Sequence, residues 1–313
     1  MRNKQNFALP TVTSTYAGEA SSDYIAAALL SAKTLDQQNV EIHPNVKYKE
    51  VIQKLDVSGI VQDASCDFAT SGSVSISEVV LEPKELQVNL ELCKQNFLDS
   101  WEAISLGYSA FDEIPRNFTD YLISYVGGKV AEATETAIWQ GSATNGSFTG
   151  FESILLASSG SADSVIIPTG SAAITKDNIV GILTATVDAI PDTVYGKEDL
   201  VIYASTKAMK AWQSSQSGVT NVGSFNNMLN VGEKPSNFQG IELVHAPGLS
   251  ADVIIAGQKS NFHFGTGLLS DYNEVRVLDM ADIDGSQNFR VIMRYTAGTQ
   301  VGLKNEVVGY GLV

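Results

Sequence analysis

The sequence predicts an α+β fold in which a long helix packs on a sheet and a separate α/β domain is inserted between the strands of that sheet. Apolar residues recur every three or four positions from Asn117 to Gln140, which is typical of one buried helical stripe. Strand-like alternation occurs both before this helix, in residues 85–93, and near the end of the chain, in residues 274–308. Strands and helices alternate in the part between them, as in an α/β unit.

The long helix is the best-defined element of the sequence. Asn117 can serve as its N-cap, and Gly141 follows as a C-terminal stop. At 1.5 Å per residue it spans roughly 36 Å. Gly127 and Gly128 lie in its middle and cost about 1 kcal/mol each relative to alanine. A bend or the close approach of another backbone there would explain the pair, and sequence drift is the alternative.

Composition and charge exclude several classes of protein. The chain has 313 residues, 44% hydrophobic and 18% charged, which is ample for one large or two modest domains. No apolar run reaches the roughly 18 residues of a membrane helix, and no signal-peptide pattern follows Arg2 and Lys4. We expect no membrane partner and no export. Two cysteines, Cys66 and Cys93, are too few for a disulfide framework and are expected to be free thiols.

The formal net charge is −15, which argues against general nucleic-acid binding, because affinity for phosphate comes from lysine and arginine. The acidic excess is concentrated in residues 50–116, which contain twelve acidic and four basic residues. This acidic excess has two open interpretations: it keeps the protein soluble, or it contacts basic patches on a partner.

The first eighty residues contain apolar faces without a local core. Residues 1–19 have no periodicity and predict a loose arm, and Ser21 to Leu35 predicts a short helix. Residues 41–82 predict a long two-stranded excursion with a polar tip at 63–73. An isolated hairpin is marginally stable in water, so either it folds back on its own domain or another subunit covers it. The residues predicted to make these contacts between subunits are Tyr24, Ile25, Leu29, Tyr48, Ile52, Phe68 and Ile76.

The rest of the chain supplies the sheet and the inserted domain. Glu85 to Cys93 predicts a half-buried strand, and Asn96 to Leu106 a helix. Residues 141–160 predict a connector rich in glycine, serine and threonine. The predicted elements that follow are strands at 164–168, 199–204, 240–246, 252–257 and 261–264, helices ending at Ile190 and Trp212, and a β-rich tail. We expect the late strands to lie beside Glu85–Cys93.

Signatures of catalysis and of bound groups are missing from the sequence. There is no phosphate-binding loop, no dinucleotide-binding glycine pattern and no nucleophile elbow. The three histidines, His43, His245 and His263, lie far apart without metal-ligand spacing, and His263 is expected to be a packed or surface strand residue. The sequence therefore predicts no catalytic residue, no cofactor and no metal site.

The order of these elements resembles the major capsid proteins of tailed bacteriophages, the Hong Kong 97-like fold. The stretch ETAIWQGSATNGSFTGF (135–151) is similar to the family's glycine-containing turn at the end of its spine helix, and DNIVGILTATVDAIPDTVY (177–195) is similar to its axial-domain helix that ends at a proline. The resemblance implies an N-terminal arm at 1–40, an extended β-hairpin loop at 41–84, a peripheral domain from 85–148 and 258–313 with the spine helix, and an axial α/β domain at 149–257.

The resemblance also implies a function and partners. The chain would assemble with copies of itself, through hexamers and pentamers, into an icosahedral virion capsid around double-stranded DNA that it contacts only loosely. Assembly would take place in the host cytoplasm, and portal, scaffold or decoration proteins are further expected partners. We expect no N-terminal scaffolding segment before the arm, and therefore a separate scaffold or none. Two alternatives stay open: an encapsulin-like compartment around a cargo enzyme, and a monomeric α/β enzyme or sugar-binding protein.

Overall fold

The computed structural model describes a chain that divides into two compact units. The described residues are 33–46, 48–61, 63–64, 72–93, 116–144, 146–158, 163–170, 172–217, 236–266, 275–280 and 285–312. Of these, one unit contains 89–93, 116–126, 275–280 and 285–292, and the other contains the remainder. Within the described part of the chain, no helix is both long enough and apolar enough to cross a membrane.

The larger unit contains a five-stranded sheet with a buried central strand. Its strands are β5 (Leu200–Ala204), β6 (Asn237–Phe238), β7 (Ile241–His245), β8 (Ile254–Gln258) and β12 (Val308–Tyr310), in the order β12-β8-β5-β7-β6. All five residues of β5 are buried, as expected of a strand covered on both faces. β5 runs parallel to β7 and antiparallel to β8. The chain thus returns to this sheet after the residues predicted to form the inserted domain.

Two helices cover the apolar core of this sheet. They are α4 (Ile179–Asp188) and α5 (Thr206–Ser217). Ile179, Leu183 and Val187 of α4 are buried at the spacing that the sequence predicts. The hydroxyl of Ser205 accepts a hydrogen bond from the Ala208 amide at 3.2 Å, so Ser205 is the N-cap of α5. α5 extends to Ser217, five residues beyond the predicted end.

A second sheet of the larger unit joins elements from distant parts of the sequence. It contains β1 (Glu41–His43), β9 (Phe262–Gly265) and the C-terminal half of β11 (Asn288–Val301). β1 runs parallel to β9 with Glu41 opposite His263, and β11 runs antiparallel to β9. β1 is preceded by a single helical turn, α1 (Lys33–Asp36).

The long helix, α2, runs from Arg116 to Gln140, which confirms the predicted helix within one residue and places Asn117 inside it rather than at its cap. The helix continues through Gly127 and Gly128 and ends at a tight glycine turn. The Gly150 amide donates to the Gly141 carbonyl at 2.7 Å, and a Cβ at Gly141 would lie 2.2 Å from the Phe148 carbonyl oxygen. Only glycine fits this close approach.

An aromatic cluster fixes the C-terminal end of α2 within the larger unit. Trp139 is fully buried, with its ring centroid 5.0 Å from that of Tyr203 and 5.3 Å from that of Phe151. Phe262 lies 5.1 Å from Phe151 and 5.2 Å from Tyr203. These edge-on and tilted geometries are the favoured ones for aromatic pairs. Four elements therefore meet at one packed group of rings.

The smaller unit contains the end of β4 (Lys84–Cys93), β10 (Val275–Asp279) and the start of β11. β4 and β10 both pair with β11, which confirms that the strand before the long helix lies beside a late strand. Glu91 accepts hydrogen bonds from the side chains of Asn288 at 2.8 Å and Arg290 at 2.9 Å. Cys93 is a free thiol, as predicted, and Cys66 lies outside the described residues.

Several predicted elements differ in the structure. The predicted connector at 141–160 contains a short helix, α3 (Phe151–Ala157), because Phe151 and Leu155 find a buried environment one helical turn apart. The predicted strand at 164–168 is reduced to one bridge between Ile166 and Val308. Three predictions lie outside the described residues: the arm at residues 1–19, the helix Ser21–Leu35 up to residue 32, and the helix Asn96–Leu106.

Candidate interaction surface

The predicted two-stranded excursion is present as a regular antiparallel hairpin in the larger unit. Its strands are β2 (Glu50–Ser58) and β3 (Ser73–Leu81), which pair in continuous register from Glu50 opposite Leu81 to Ser58 opposite Ser73. The predicted two-stranded excursion is confirmed for Glu50–Leu81, whereas Glu41–His43, which was predicted to belong to it, forms β1 beside β9. The first strand ends earlier than predicted, because β2 stops at Ser58 and Gly59 adopts a positive φ of 66°.

One face of this hairpin presents apolar side chains to solvent. Side chains alternate between the faces of a strand, and the register places Val51 opposite Val80, so both share a face with Val74 and Ile76. The exposed fractions are 49% for Val51, 63% for Val74, 65% for Ile76 and 41% for Val80. We call these four residues the hairpin face. β-branched side chains at this exposure are typical of a surface that another chain covers.

The base of the hairpin is firmly attached to its own unit. Leu81 is fully buried, and a Cβ at Gly265 would lie 2.9 Å from its side chain. The Gln300 side chain donates a hydrogen bond to the Val80 carbonyl at 2.8 Å. The hairpin is therefore anchored at its base while its apolar face stays exposed, as expected of an element that contacts another chain.

The root also has an exposed ion pair. Lys49 Nζ lies 3.1 Å from Glu82 Oε2. The hydrogen bond from Lys49 to Glu82, together with the negative charge of Glu82, raises the pKa of the Lys49 ammonium. Because both groups are solvated, this pair orients the root without adding much stability.

The seven residues predicted to make contacts between subunits fall into three groups: exposed residues, one residue on the opposite face of the hairpin, and residues outside the described part of the chain. Ile76 lies on the hairpin face, and Tyr48, which precedes β2, is 72% exposed. Ile52 is partly buried and lies on the opposite face of β2, so it does not belong to this surface. The other four predicted contact residues lie outside the described residues: Tyr24, Ile25, Leu29 and Phe68.

Sequence reasoning missed Val51, Val74 and Val80 as members of one surface. The signal that could have found them is the period-two alternation within each arm, combined with a register that only the paired strands reveal. Ile60 and Val61, which follow β2, are also exposed, at 59% and 90%.

The chain resembles known proteins in its fold but not in its sequence. No protein-family model and no curated protein sequence matches the chain. Solved structures do match it. The capsid of an empty GTA particle aligns over 97% of this chain and 99% of its own, with a TM-score of 0.64 and 14% identity. The capsid of cyanophage A-1(L) aligns over 96% and 97%, with a TM-score of 0.57 and 13% identity.

The chain has a phage-capsid fold. The alignments cover nearly all of this chain and nearly all of each capsid chain, so the likeness is not limited to one domain. A third match, the capsid of the Myoviridae phage XM1, covers 98% of this chain and 96% of its own, with a TM-score of 0.55 and 12% identity. The predicted resemblance to tailed-phage capsid proteins and the α+β class are thereby confirmed at the level of the capsid fold.

Proposed function

We propose that this chain is a structural, non-enzymatic subunit that self-assembles through hexamers and pentamers into an icosahedral shell around double-stranded DNA. The observation that supports this most directly is the hairpin face, an exposed apolar surface on a protein with a capsid fold. A hairpin without its own core gains stability when a neighbouring subunit covers it.

The parts of the chain take corresponding roles in this proposal. α2 is the spine helix of a peripheral domain formed by residues 85–148 and 258–313, and residues 149–257 form the axial domain around the five- and six-fold axes. β12 pairs with β8 at the edge of the sheet that contains β5, β7 and β6, so in this proposal residues 308–310 contribute a strand to the axial domain although the rest of 258–313 belongs to the peripheral one. Residues 1–40 and 41–84 are the arm and the extended loop that reach neighbours.

The contact made by the hairpin face would stabilise a shell because every subunit repeats it. Full burial of a valine or isoleucine side chain contributes about 1.5–3 kcal/mol, so four half-exposed residues contribute a few kcal/mol at each contact. Association costs of comparable size cancel much of this for one pair of subunits. A closed shell repeats the contact at every subunit, and ring closure makes the contacts cooperative.

The net charge of the chain is consistent with a shell that binds the enclosed DNA only weakly. With a net charge of −15, the subunit lacks the cationic excess that strong phosphate binding requires. We infer that packaged DNA contacts the shell loosely. Portal, scaffold and decoration proteins are additional partners in this proposal, and assembly takes place in the host cytoplasm.

Electron microscopy and sedimentation of the expressed full chain test the proposal. We expect closed particles or capsomers, whereas a particle that stays near 33.4 kDa under all conditions would overturn it. Closed particles that copurify with a cargo enzyme would overturn the genome-enclosing role and keep the shell.

A matched pair of variants tests the hairpin face itself. The double change Val74→Asp and Ile76→Asp places two charges on this face and should abolish assembly while leaving the subunit folded. Ile76→Val keeps an apolar β-branched side chain and should assemble normally. Shell formation by the charged variant would show that the hairpin face is not a contact surface.

A further inference from the structure

A cluster of two histidines and two glutamates joins β1, β9 and the root of the hairpin. β1 presents Glu41 and His43 on one face, since they are two residues apart, and the parallel register places His263 of β9 opposite Glu41. His43 Nε2 lies 3.0 Å from His263 Nδ1, and His263 Nδ1 lies 3.5 Å from Glu41 Oε2. The two histidines are 220 residues apart in the sequence, without metal-ligand spacing, and the fold brings them into contact.

A fourth residue orients this cluster. Glu50 Oε1 lies 3.0 Å from His43 Nδ1, which places the proton on Nδ1 and leaves the lone pair of Nε2 directed at His263. A carboxylate behind a histidine in this way is the usual outer-sphere partner of a metal-bound imidazole. Glu50 is thus placed to hold the ring rather than to bind an ion.

The spacing of the ligand atoms fits a tetrahedral ion. Ligands about 2.0–2.2 Å from zinc lie roughly 3.3–3.6 Å from one another, close to the 3.0 Å and 3.5 Å separations in this cluster. All three ligand atoms lie within 4.8 Å of one another, and the Glu41 side chain, which is half exposed, can rotate to close the longest gap. The same exposure leaves a side of the cluster open to water.

We propose that Glu41, His43 and His263 bind one divalent transition-metal ion of the zinc class, with water completing the coordination. Two imidazoles and one carboxylate suit zinc better than the hard cations calcium and magnesium, which prefer oxygen ligands alone. The ion would tie β1 to β9 and, through Glu50, to the root of the hairpin. This inference does not depend on the proposed shell role.

Equilibrium dialysis of the full-length protein against Zn²⁺ tests the site. The protein must be free of a polyhistidine tag and treated first with a chelator. We expect one Zn²⁺ per chain at micromolar concentration and an increase in melting temperature on binding. The variants His43→Gln and Glu41→Gln should lose this stoichiometric binding and the increase, and Glu50→Gln should bind 10- to 100-fold more weakly.

The matched control is His245→Gln. His245 lies in β7, where its Nε2 is 2.9 Å from the Thr206 hydroxyl, away from the cluster. This variant should bind Zn²⁺ like the unmodified chain. Failure of the unmodified chain to bind one Zn²⁺, or unchanged binding by His43→Gln, would overturn the proposal. His263 is buried, and if His263→Gln does not fold, the more exposed His43 and Glu41 variants decide the outcome.

Discussion

Thr34 binds both carboxylate oxygens of Glu135, which lies 101 residues further along the chain. The Thr34 hydroxyl donates to Oε1 at 2.6 Å, and its backbone amide donates to Oε2 at 3.1 Å. The Trp139 indole in turn donates to the Thr34 hydroxyl at 3.0 Å. The single turn α1 is thereby attached to α2 through a buried polar network within the larger unit.

Loss of the Thr34 hydroxyl should destabilise the larger unit. Thr34→Val keeps the shape of the side chain but leaves the buried Glu135 carboxylate and the Trp139 indole each short of a partner. We expect a loss of about 1–3 kcal/mol in the free energy of unfolding. Thr34→Ser retains the hydroxyl and should cost less. Urea unfolding of unassembled subunits measures both, and equal losses for the two variants would contradict the role of the hydroxyl.

Stability should depend on pH through Glu135. Burial raises the pKa of this carboxyl above 4.5, and the hydrogen bonds from Thr34 only partly offset that effect. The folded chain therefore keeps the proton to higher pH than the unfolded chain does. The contribution of this group is full below pH 4.5 and is lost as the pH rises through the folded-state pKa.

Glu135→Gln measures this pH effect directly. Glutamine cannot ionise, so the unmodified chain should lose stability relative to the variant as the pH rises from 4.5 toward neutrality. Glu152, whose pKa burial also raises, is present in both proteins and cancels in the comparison. A difference in unfolding free energy that stays constant with pH would show that Glu135 does not titrate in this window.

Two glycines should respond in opposite directions to the same substitution. A Cβ at Gly248 would lie 2.2 Å from the Glu135 carbonyl oxygen, so Gly248→Ala should destabilise the chain by about 1–3 kcal/mol. Gly181 lies on the exposed side of α4, where a Cβ would meet no atom within 4 Å, and Gly181→Ala should stabilise by about 1 kcal/mol. Thermal unfolding measures both changes, and a neutral Gly248→Ala would contradict the close contact.

Replacing Asp252 should reduce stability more than replacing Lys207, which contacts it. Lys207 Nζ lies 2.6 Å from Asp252 Oδ1 and lowers the pKa of that carboxyl, but both side chains are 42% exposed. Lys207→Met should therefore change stability by less than about 1 kcal/mol. Asp252 also accepts the Ile174 amide at 2.7 Å, and Asp252→Ala should cost about 1–3 kcal/mol by leaving that amide without its partner. Denaturant unfolding that ranks Lys207→Met as the costlier change would contradict this assignment.

Local periodicity predicted the elements that depend on neighbouring residues. The helix Arg116–Gln140, the hairpin strands and the alternating strand Lys84–Cys93 are each evident within a short window of sequence. The helix Phe151–Ala157 was hidden by flanking glycines and serines, because it forms only where Phe151 and Leu155 meet a core from elsewhere.

The candidate sites depend on contacts that no local pattern contains. The hairpin face could be predicted in part, since Ile76 belongs to an alternating arm, but its other members follow from the strand register. The cluster of His43 and His263 depends on the parallel pairing of β1 with β9, whose strands lie more than 200 residues apart. Metal-ligand spacing in the sequence could not have found it.

The position of β12 has a consequence for synthesis of the chain. β8 pairs with β5 on one side and with β12 on the other, and β12 follows β8 by about 50 residues. At roughly 5–20 residues per second, a ribosome needs on the order of 3–10 seconds to supply that last partner. During this interval one edge of β8 has no strand beside it, and such an edge is prone to pair with another nascent chain. A chaperone acting within those seconds would keep this edge from pairing with another chain.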